Sequence, residues 1–294
     1  MRLEDFGMDT ITLAGTIEAK LRAIREAGFT QVMLSARDLV GHPGGESAAI
    51  DAVKRSGLRV TGLQVLRDFE GLSGPLHAYK IDVAKAMLEM AREVGAPLIL
   101  ACSSTSAHAT GGFDAQVADL RKLAMLAVPL GLRVAYEALS WGRSVDDFGQ
   151  AWALVAAADR SNLGVAVDSF HMLARETPLA ALDEVIPEKL FFVQLSDFMW
   201  SAPATPEERR ETARHARVFP GEGAHSEQLG DMIRALDALG YEGDLSFEVF
   251  NDDYAQMPLS LVAQRAKRSV QWITDHVSRR SLPVRRRVAA LPPR

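Results

Sequence analysis

The sequence predicts a closed (β/α)8 TIM barrel, and three observations carry the prediction. An amphipathic segment that ends at glycine and runs at once into a β-rich stretch recurs at "EAGFTQVML", "RSGLRVTGLQV", "EVGAPLILAC", "PLGLRVAYE" and "ALGYEGDLSFE". The β-rich stretches are continuously apolar rather than alternating, as expected of parallel strands buried on both faces. Three further stretches bring the count to eight βα units in 294 residues, the number and length that close a barrel. The alternative, a doubly wound sheet, calls for a glycine-rich turn after the first strand, where "TLAGTIEAK" has a single glycine.

Taken in order, strand one is placed at "TITLA", and the helix after it carries Ile17, Leu21 and Ile24 at helical spacing. Strands two and three follow Gly28 and Gly57, glycine being favoured just past a helix C-terminus because positive φ costs it nothing. The helix before strand four sets Met87, Met90, Ala91 and Val94 on one face, so these methionines read as core filler, not ligands. Strand four is "PLILAC", strand five "RVAYE", strand six "LGVAVDSF", strand seven "KLFFVQLSD" and strand eight "DLSFE". The longest irregular stretch, "MWSAPATPEERRETARHARVFPGEG", follows strand seven and is expected over the C-terminal mouth as a lid or substrate-gripping loop. No linker interrupts the pattern, so residues 1–278 are expected to form one barrel domain. The basic stretch 279–294, "RRSLPVRRRVAALPPR", is expected to be a solvated, poorly ordered tail.

Composition excludes several classes. The chain is 48% hydrophobic and 24% charged with net charge −5, an ordinary globular balance whose mild, dispersed acidity argues against a nucleic-acid surface. A single cysteine, Cys102, leaves no intrachain disulfide and no thiolate zinc cluster, and suits a reducing cytoplasm. No stretch approaches ~20 apolar residues and the N-terminus lacks a signal-length apolar core. A cytoplasmic protein without a membrane segment is the expectation.

Active sites of this fold gather at the C-terminal ends of the strands. Strand five ends at Glu137, strand six at Asp168, strand seven carries Gln194 and then Asp197, and strand eight ends at Glu248. Singly, each is an ordinary solvated or capping residue, and Asp168 could cap the helix after it. Together, carboxylates aimed into one mouth repel unless a cation lies between them. Hard oxygen ligands without thiolate favour one divalent ion such as Mg²⁺, Mn²⁺ or Co²⁺. His171 stands three residues beyond Asp168, where it can meet whatever the ion holds.

At these residues the sequence resembles the sugar-phosphate isomerase/epimerase superfamily of xylose isomerase-like barrels, and within it the bacterial metal-dependent 3-dehydroshikimate dehydratases. The matching stretches include "LRDFEG", "YEALSWGR", "LGVAVDSFHML", "KLFFVQLSD", "RVFPGEG" and "LSFEVFND". Broader relatives usually have histidine where this sequence has Gln194. Carried over position by position, the resemblance implies Glu137, Asp168, Gln194 and Glu248 as metal ligands. It departs in strand two, where members carry an acidic residue and an aromatic and this chain has Met33 and Ser35, followed by Ala36 and Arg37.

The implied reaction is loss of water from 3-dehydroshikimate to give protocatechuate, by enolisation of a small carboxylated hydroxy-ketone. The proton-transfer group is taken to be His171 because imidazole titrates near neutrality, with Glu137 or Glu248 as the alternative base. Arg67 and Arg217 are the candidates for the substrate carboxylate, each otherwise a surface ion-pair partner, and His215 is a weaker candidate. Ser103, after strand four, is a candidate hydrogen-bond donor to a substrate hydroxyl. The nearest rival is a metal-dependent ketose or inositol-type isomerase or epimerase with the same enolisation. A repair endonuclease of the same barrel type is disfavoured by seven histidines and the negative net charge. A non-catalytic sugar-binding barrel is disfavoured by the complete ion-binding rim. Barrels of this group often pair into homo-oligomers.

Overall fold

The computed structural model describes residues 2–278; the predicted basic tail lies outside the described residues. Eight parallel strands close a barrel: β1 (Phe6–Asp9), β2 (Gln31–Ser35), β3 (Arg59–Arg67), β4 (Leu98–Cys102), β5 (Arg133–Glu137), β6 (Leu163–Asp168), β7 (Leu190–Leu195) and β10 (Leu245–Phe247). Their order around the barrel is β1-β10-β7-β6-β5-β4-β3-β2. Two short strands, β8 (Asp197–Phe198) and β9 (Arg217–Val218), form an antiparallel pair above the rim.

The junction rule holds in detail. Gly28, Gly57, Gly95, Gly131 and Gly240 all take positive φ, from 67° to 101°, so each helix stops where a residue without Cβ lets the chain turn into the next strand. The first long helix, Ile17–Glu26, starts at Thr16, whose hydroxyl accepts the Ala19 amide, and buries Ile17, Leu21 and Ile24 against the barrel. Met87, Met90 and Ala91 are likewise buried. Phe6, Phe29 and Phe219 gather around Phe247 below the rim, Phe6 stacking on it at 5.6 Å.

Two expectations need correction. Strand one is Phe6–Asp9, not "TITLA", because Thr10–Thr12 form a 3-10 turn. The threonine hydroxyls explain it: Thr10 Oγ1 accepts the Ser35 amide, and Thr12 Oγ1 donates to the Phe247 carbonyl while accepting the Val249 amide. They satisfy rim backbone instead of extending the ladder. The stretch after strand seven is not wholly irregular. It contains a helix, Pro206–His215, started by a capping box in which Thr205 and Glu208 bond each other's backbone amides.

Candidate active site

Parallel register delivers the acids to one end of the barrel. Glu137 is the last residue of β5 and pairs in register with Cys102, the last of β4. Asp168, the last of β6, pairs with Gln194 of β7, and Glu248 directly follows β10. Asp9, the last residue of β1, joins them. All five side chains are buried. They lie below a cavity of about 440 Å³ whose lining includes Glu137, His171, Arg217 and Glu248.

Hydrogen bonds orient three of these side chains. The Cys102 thiol donates to Glu137 Oε2 at 2.8 Å, which leaves Glu137 Oε1 buried without a partner. Gln194 Nε2 donates to Asp9 Oδ2 at 2.6 Å and to Gln64 Oε1 at 3.2 Å, so its amide oxygen is the end turned elsewhere; that oxygen too is buried and unpartnered. Asp168 uses Oδ1 to cap the next helix, accepting the Phe170 amide at 2.7 Å, and keeps Oδ2 for the site. The capping role and the rim role thus fall on different oxygens of one carboxylate.

His171 is buried beside Asp168, its Nε2 3.7 Å from Asp168 Oδ2. Its Nδ1 accepts the Ser140 amide at 3.1 Å. A ring nitrogen that accepts N–H carries no hydrogen, so the single proton of neutral His171 sits on Nε2, facing the site. Burial holds the imidazole neutral, lowering it to about 3, with Arg217 adding to the effect and Asp168 opposing it. In this arrangement His171 presents a hydrogen-bond donor to the site.

Glu137 is pushed well above the usual carboxylate range, first by burial and then by Asp168 and Glu248. Glu248 rises to about 7, chiefly by burial, although Arg217 pulls it down. Asp9 is raised by burial and by Glu248. Four buried acids face one buried cation, Arg217, whose Nη1 lies 2.6 Å from Asp168 Oδ2 and 3.1 Å from Glu248 Oε2. Burial works against the charge on Arg217, but Asp168 and Glu248 outweigh it. The guanidinium also sits 4.6 Å from the Phe170 ring. The positive charge is short of the carboxylates' full negative charge, a deficit that a divalent cation would fill.

The remaining candidates divide. Site-side atoms of Glu137, Asp168 and His171 all lie within 4.8 Å of one another, so the three side chains meet at one point of the rim. Arg67 and Ser103 line the cavity; the Ser103 hydroxyl accepts the Leu139 amide at 2.9 Å, which leaves its own hydrogen for a ligand. Arg217 lines it as well, but its Nη1 is committed to protein carboxylates. His215 does not belong to the site. It is half exposed at the end of its helix, bonds Asp252 and Glu211, and does not line the cavity. Its neighbour Arg214 lines the cavity instead, as does Arg37. Asp197 is spent on the amides of Phe198 and His225 and the Ser226 hydroxyl.

Sequence reading missed Asp9, Gln64 and Ser140. Asp9 was hidden because strand one was placed a few residues late; "FGMD", an apolar run closing on an acid, was the available signal. Gln64 and Ser140 act only through neighbours that folding supplies, and carried no local signal.

Side-chain oxygens converging from consecutive strand ends beneath an arginine-rimmed cavity define a class, the (β/α)8 barrels with a metal-competent C-terminal rim. Within that class the chain belongs to the xylose isomerase-like TIM barrel family, whose sequence profile it matches over residues 21–276. It is 37% identical over 266 residues to the 3-dehydroshikimate dehydratase of Pseudomonas aeruginosa, covering 90% of this chain and 41% of that protein. An inosose isomerase of Halalkalibacterium halodurans is 28% identical over 200 residues, 65% of this chain and 67% of that one. Among solved structures, a xylose isomerase-like TIM barrel/4-hydroxyphenylpyruvate dioxygenase fusion protein superposes with a TM-score of 0.87 at 34% identity, covering 99% of this chain and 46% of that one. The chain spans less than half the length of the dehydratase and of the fusion protein. Among the described residues, no helix is long and apolar enough to cross a membrane.

Proposed function

We propose that residues 1–278 form one divalent-metal-dependent dehydratase unit that converts 3-dehydroshikimate to protocatechuate. The observation that carries the reading is the pair of buried, unpartnered oxygens, Glu137 Oε1 and Gln194 Oε1, turned out by Cys102 and Asp9 beside Asp168 and Glu248. Orphaned buried acceptors are costly and rare, and an oxygen-rich, thiolate-free set suits Mg²⁺, Mn²⁺ or Co²⁺. The 37% identity to a dehydratase over 90% of the chain supports the dehydratase reading over the isomerase.

Glu137, Asp168, Gln194 and Glu248 would hold the ion. When bound, it supplies Lewis-acid polarisation of the substrate ketone. The chain's own residues do the rest. Arg37, Arg67 and Arg214 reach the cavity without an ion-pair partner among the described residues and can clasp the substrate carboxylate. Glu137 or Glu248 takes the proton α to the ketone, and the released electron pair forms the carbon–carbon double bond as the β C–O bond breaks. The same carboxylate returns its proton to the departing hydroxide, so water leaves and no proton stays on the protein. His171 donates from Nε2 to the developing negative charge and keeps its hydrogen. Tautomerisation of the ring completes the aromatic product.

The test is incubation of metal-loaded protein with 3-dehydroshikimate while the absorbance of protocatechuate is followed. Product formation that stops with chelator and returns with Mg²⁺, Mn²⁺ or Co²⁺ supports the reading. Absence of product at high protein concentration, with turnover of an inosose or ketose instead, would replace it with the isomerase.

A further inference from the structure

The helix that crosses the barrel mouth, Pro206–His215, carries a guanidinium that the site chemistry leaves unexplained. Arg209 is only 8% exposed, and among the described residues no carboxylate is bonded to it. Its nitrogens donate to backbone carbonyls instead: Nε to Pro203 at 3.3 Å, Nη2 to Ala204 at 2.8 Å and Nη1 to Ser140 at 2.8 Å. A buried cation held only by neutral acceptors is expensive, so the contact it makes outside its own segment calls for a reason.

That contact is with Ser140, a fully buried residue on the loop after β5. Ser140 receives Arg209 on its carbonyl and presents its amide to His171 Nδ1 at 3.1 Å, with its hydroxyl 3.0 Å from the same nitrogen. Trp141 and Phe170 pack edgewise on the imidazole at 5.1 and 5.3 Å, so the ring has little freedom to rotate. The hydrogen-bond partner of Nδ1 decides which nitrogen of a neutral imidazole carries the proton. An amide at Nδ1 forces the proton to Nε2; a hydroxyl oxygen turned toward Nδ1 would accept a proton there and strip Nε2 of it. Both partners belong to Ser140, and the orientation of Ser140 is held by Arg209.

We propose that Arg209 is a positioning residue that, by anchoring Ser140, keeps the proton of His171 on the nitrogen facing the reaction site whenever the mouth helix is docked. Docking of the helix and arming of the donor are then one event. The inference rests on the reading of His171 as a donor, but its test does not need turnover.

Protein labelled with ¹⁵N-histidine and loaded with Mg²⁺ reports the protonation of each ring nitrogen through its chemical shift, with His171 assigned from H171N. In the wild type, Nδ1 should appear bare and Nε2 protonated. In R209M the two nitrogens should move toward averaged shifts as both tautomers populate, and R209K should restore the wild-type pattern in part, since lysine can reach one carbonyl. S140A keeps the amide and should keep Nε2 protonated. Loss of the Nε2–H form should lower kcat by about tenfold or more with a smaller change in KM. A wild-type protein with the proton on Nδ1 overturns the proposal even if R209M fails to fold. So does a folded R209M with the wild-type nitrogen pattern, whatever its activity. Failure of the wild type to dehydrate 3-dehydroshikimate would overturn the functional reading and leave the nitrogen pattern standing.

Discussion

Single atoms decide the character of the rim. Glu137 and Gln194 each have two polar ends, and in both a neighbour takes one end and leaves the other oxygen unpartnered. E248Q removes one negative charge and one ligand oxygen; Mg²⁺ affinity measured by calorimetry should fall by about 100-fold while the circular dichroism spectrum is retained. Unchanged affinity would take Glu248 out of the ligand set. Asp9 tests the outer layer. Without its carboxylate, Gln194 Nε2 loses its fixed acceptor and the amide is free to flip, presenting N–H where oxygen is needed. D9A should therefore weaken metal binding about 10–100-fold, although Asp9 is not among the proposed ligands. Affinity within twofold of the wild type would mean that Gln64 alone holds the amide.

Elements above the rim behave as a layer separate from the barrel. The mouth helix starts at a capping box in which Thr205 Oγ1 accepts the Glu208 amide at 3.1 Å and Glu208 Oε2 accepts the Thr205 amide at 3.0 Å. T205A should cost this helix ~1 kcal/mol, raising amide exchange within residues 206–215 about fivefold while the global Tm hardly moves. A fall in Tm as large as the local loss would show the helix to be part of the cooperative core. Below it, Glu70 ties three elements together: its Oε1 accepts the Ser104 amide at 2.5 Å and the Tyr136 hydroxyl at 2.9 Å, while its Oε2 is buried without a partner. Burial raises this carboxyl from its ordinary 4.5 to about 7. The sign follows. Below pH 4.5 the group is protonated folded or unfolded and costs nothing. As the pH rises toward 7 the unfolded chain ionises first and gains, so stability is lost, by about 3 kcal/mol in all. Thermal unfolding between pH 5 and 8 should show this decline in the wild type relative to E70Q; parallel curves would deny the shift.

At the scale of the whole molecule, the proposed ion would become part of the fold's energetics. An ion held as proposed would bind the folded rim and not the dispersed side chains of the unfolded chain, so free Mg²⁺ at a hundred times Kd should stabilise by about 2.7 kcal/mol and raise Tm by roughly 5 °C. A Tm indifferent to chelator would argue that Arg217 alone balances the acids. Much of this molecule was legible beforehand. Glycine followed by a continuous apolar run is a local signal, and it located five of the eight barrel strands, the apolar run alone giving strands six and seven; a strand buried on both faces also brings whatever polar residue ends it to the rim, which is why Glu137, Asp168, Gln194 and Glu248 could be picked without coordinates. Strand one failed because β-branched threonines read as strand when their hydroxyls in fact cap neighbouring backbone. The mouth helix was missed although "TPEE" carries a capping box, because no apolar stripe follows it.

The sequence by itself determined the architecture and the identity of the rim oxygens, since both follow from periodicity and from the order of residues along a strand, and neither depends on long-range contact. Tertiary structure alone decided the direction in which each oxygen points, the tautomer of His171, the capture of Arg217 by Asp168 and Glu248, and the exclusion of His215. These are set by partners as distant in sequence as Asp9 and Gln194, and only closure of the barrel brings such groups within hydrogen-bonding distance.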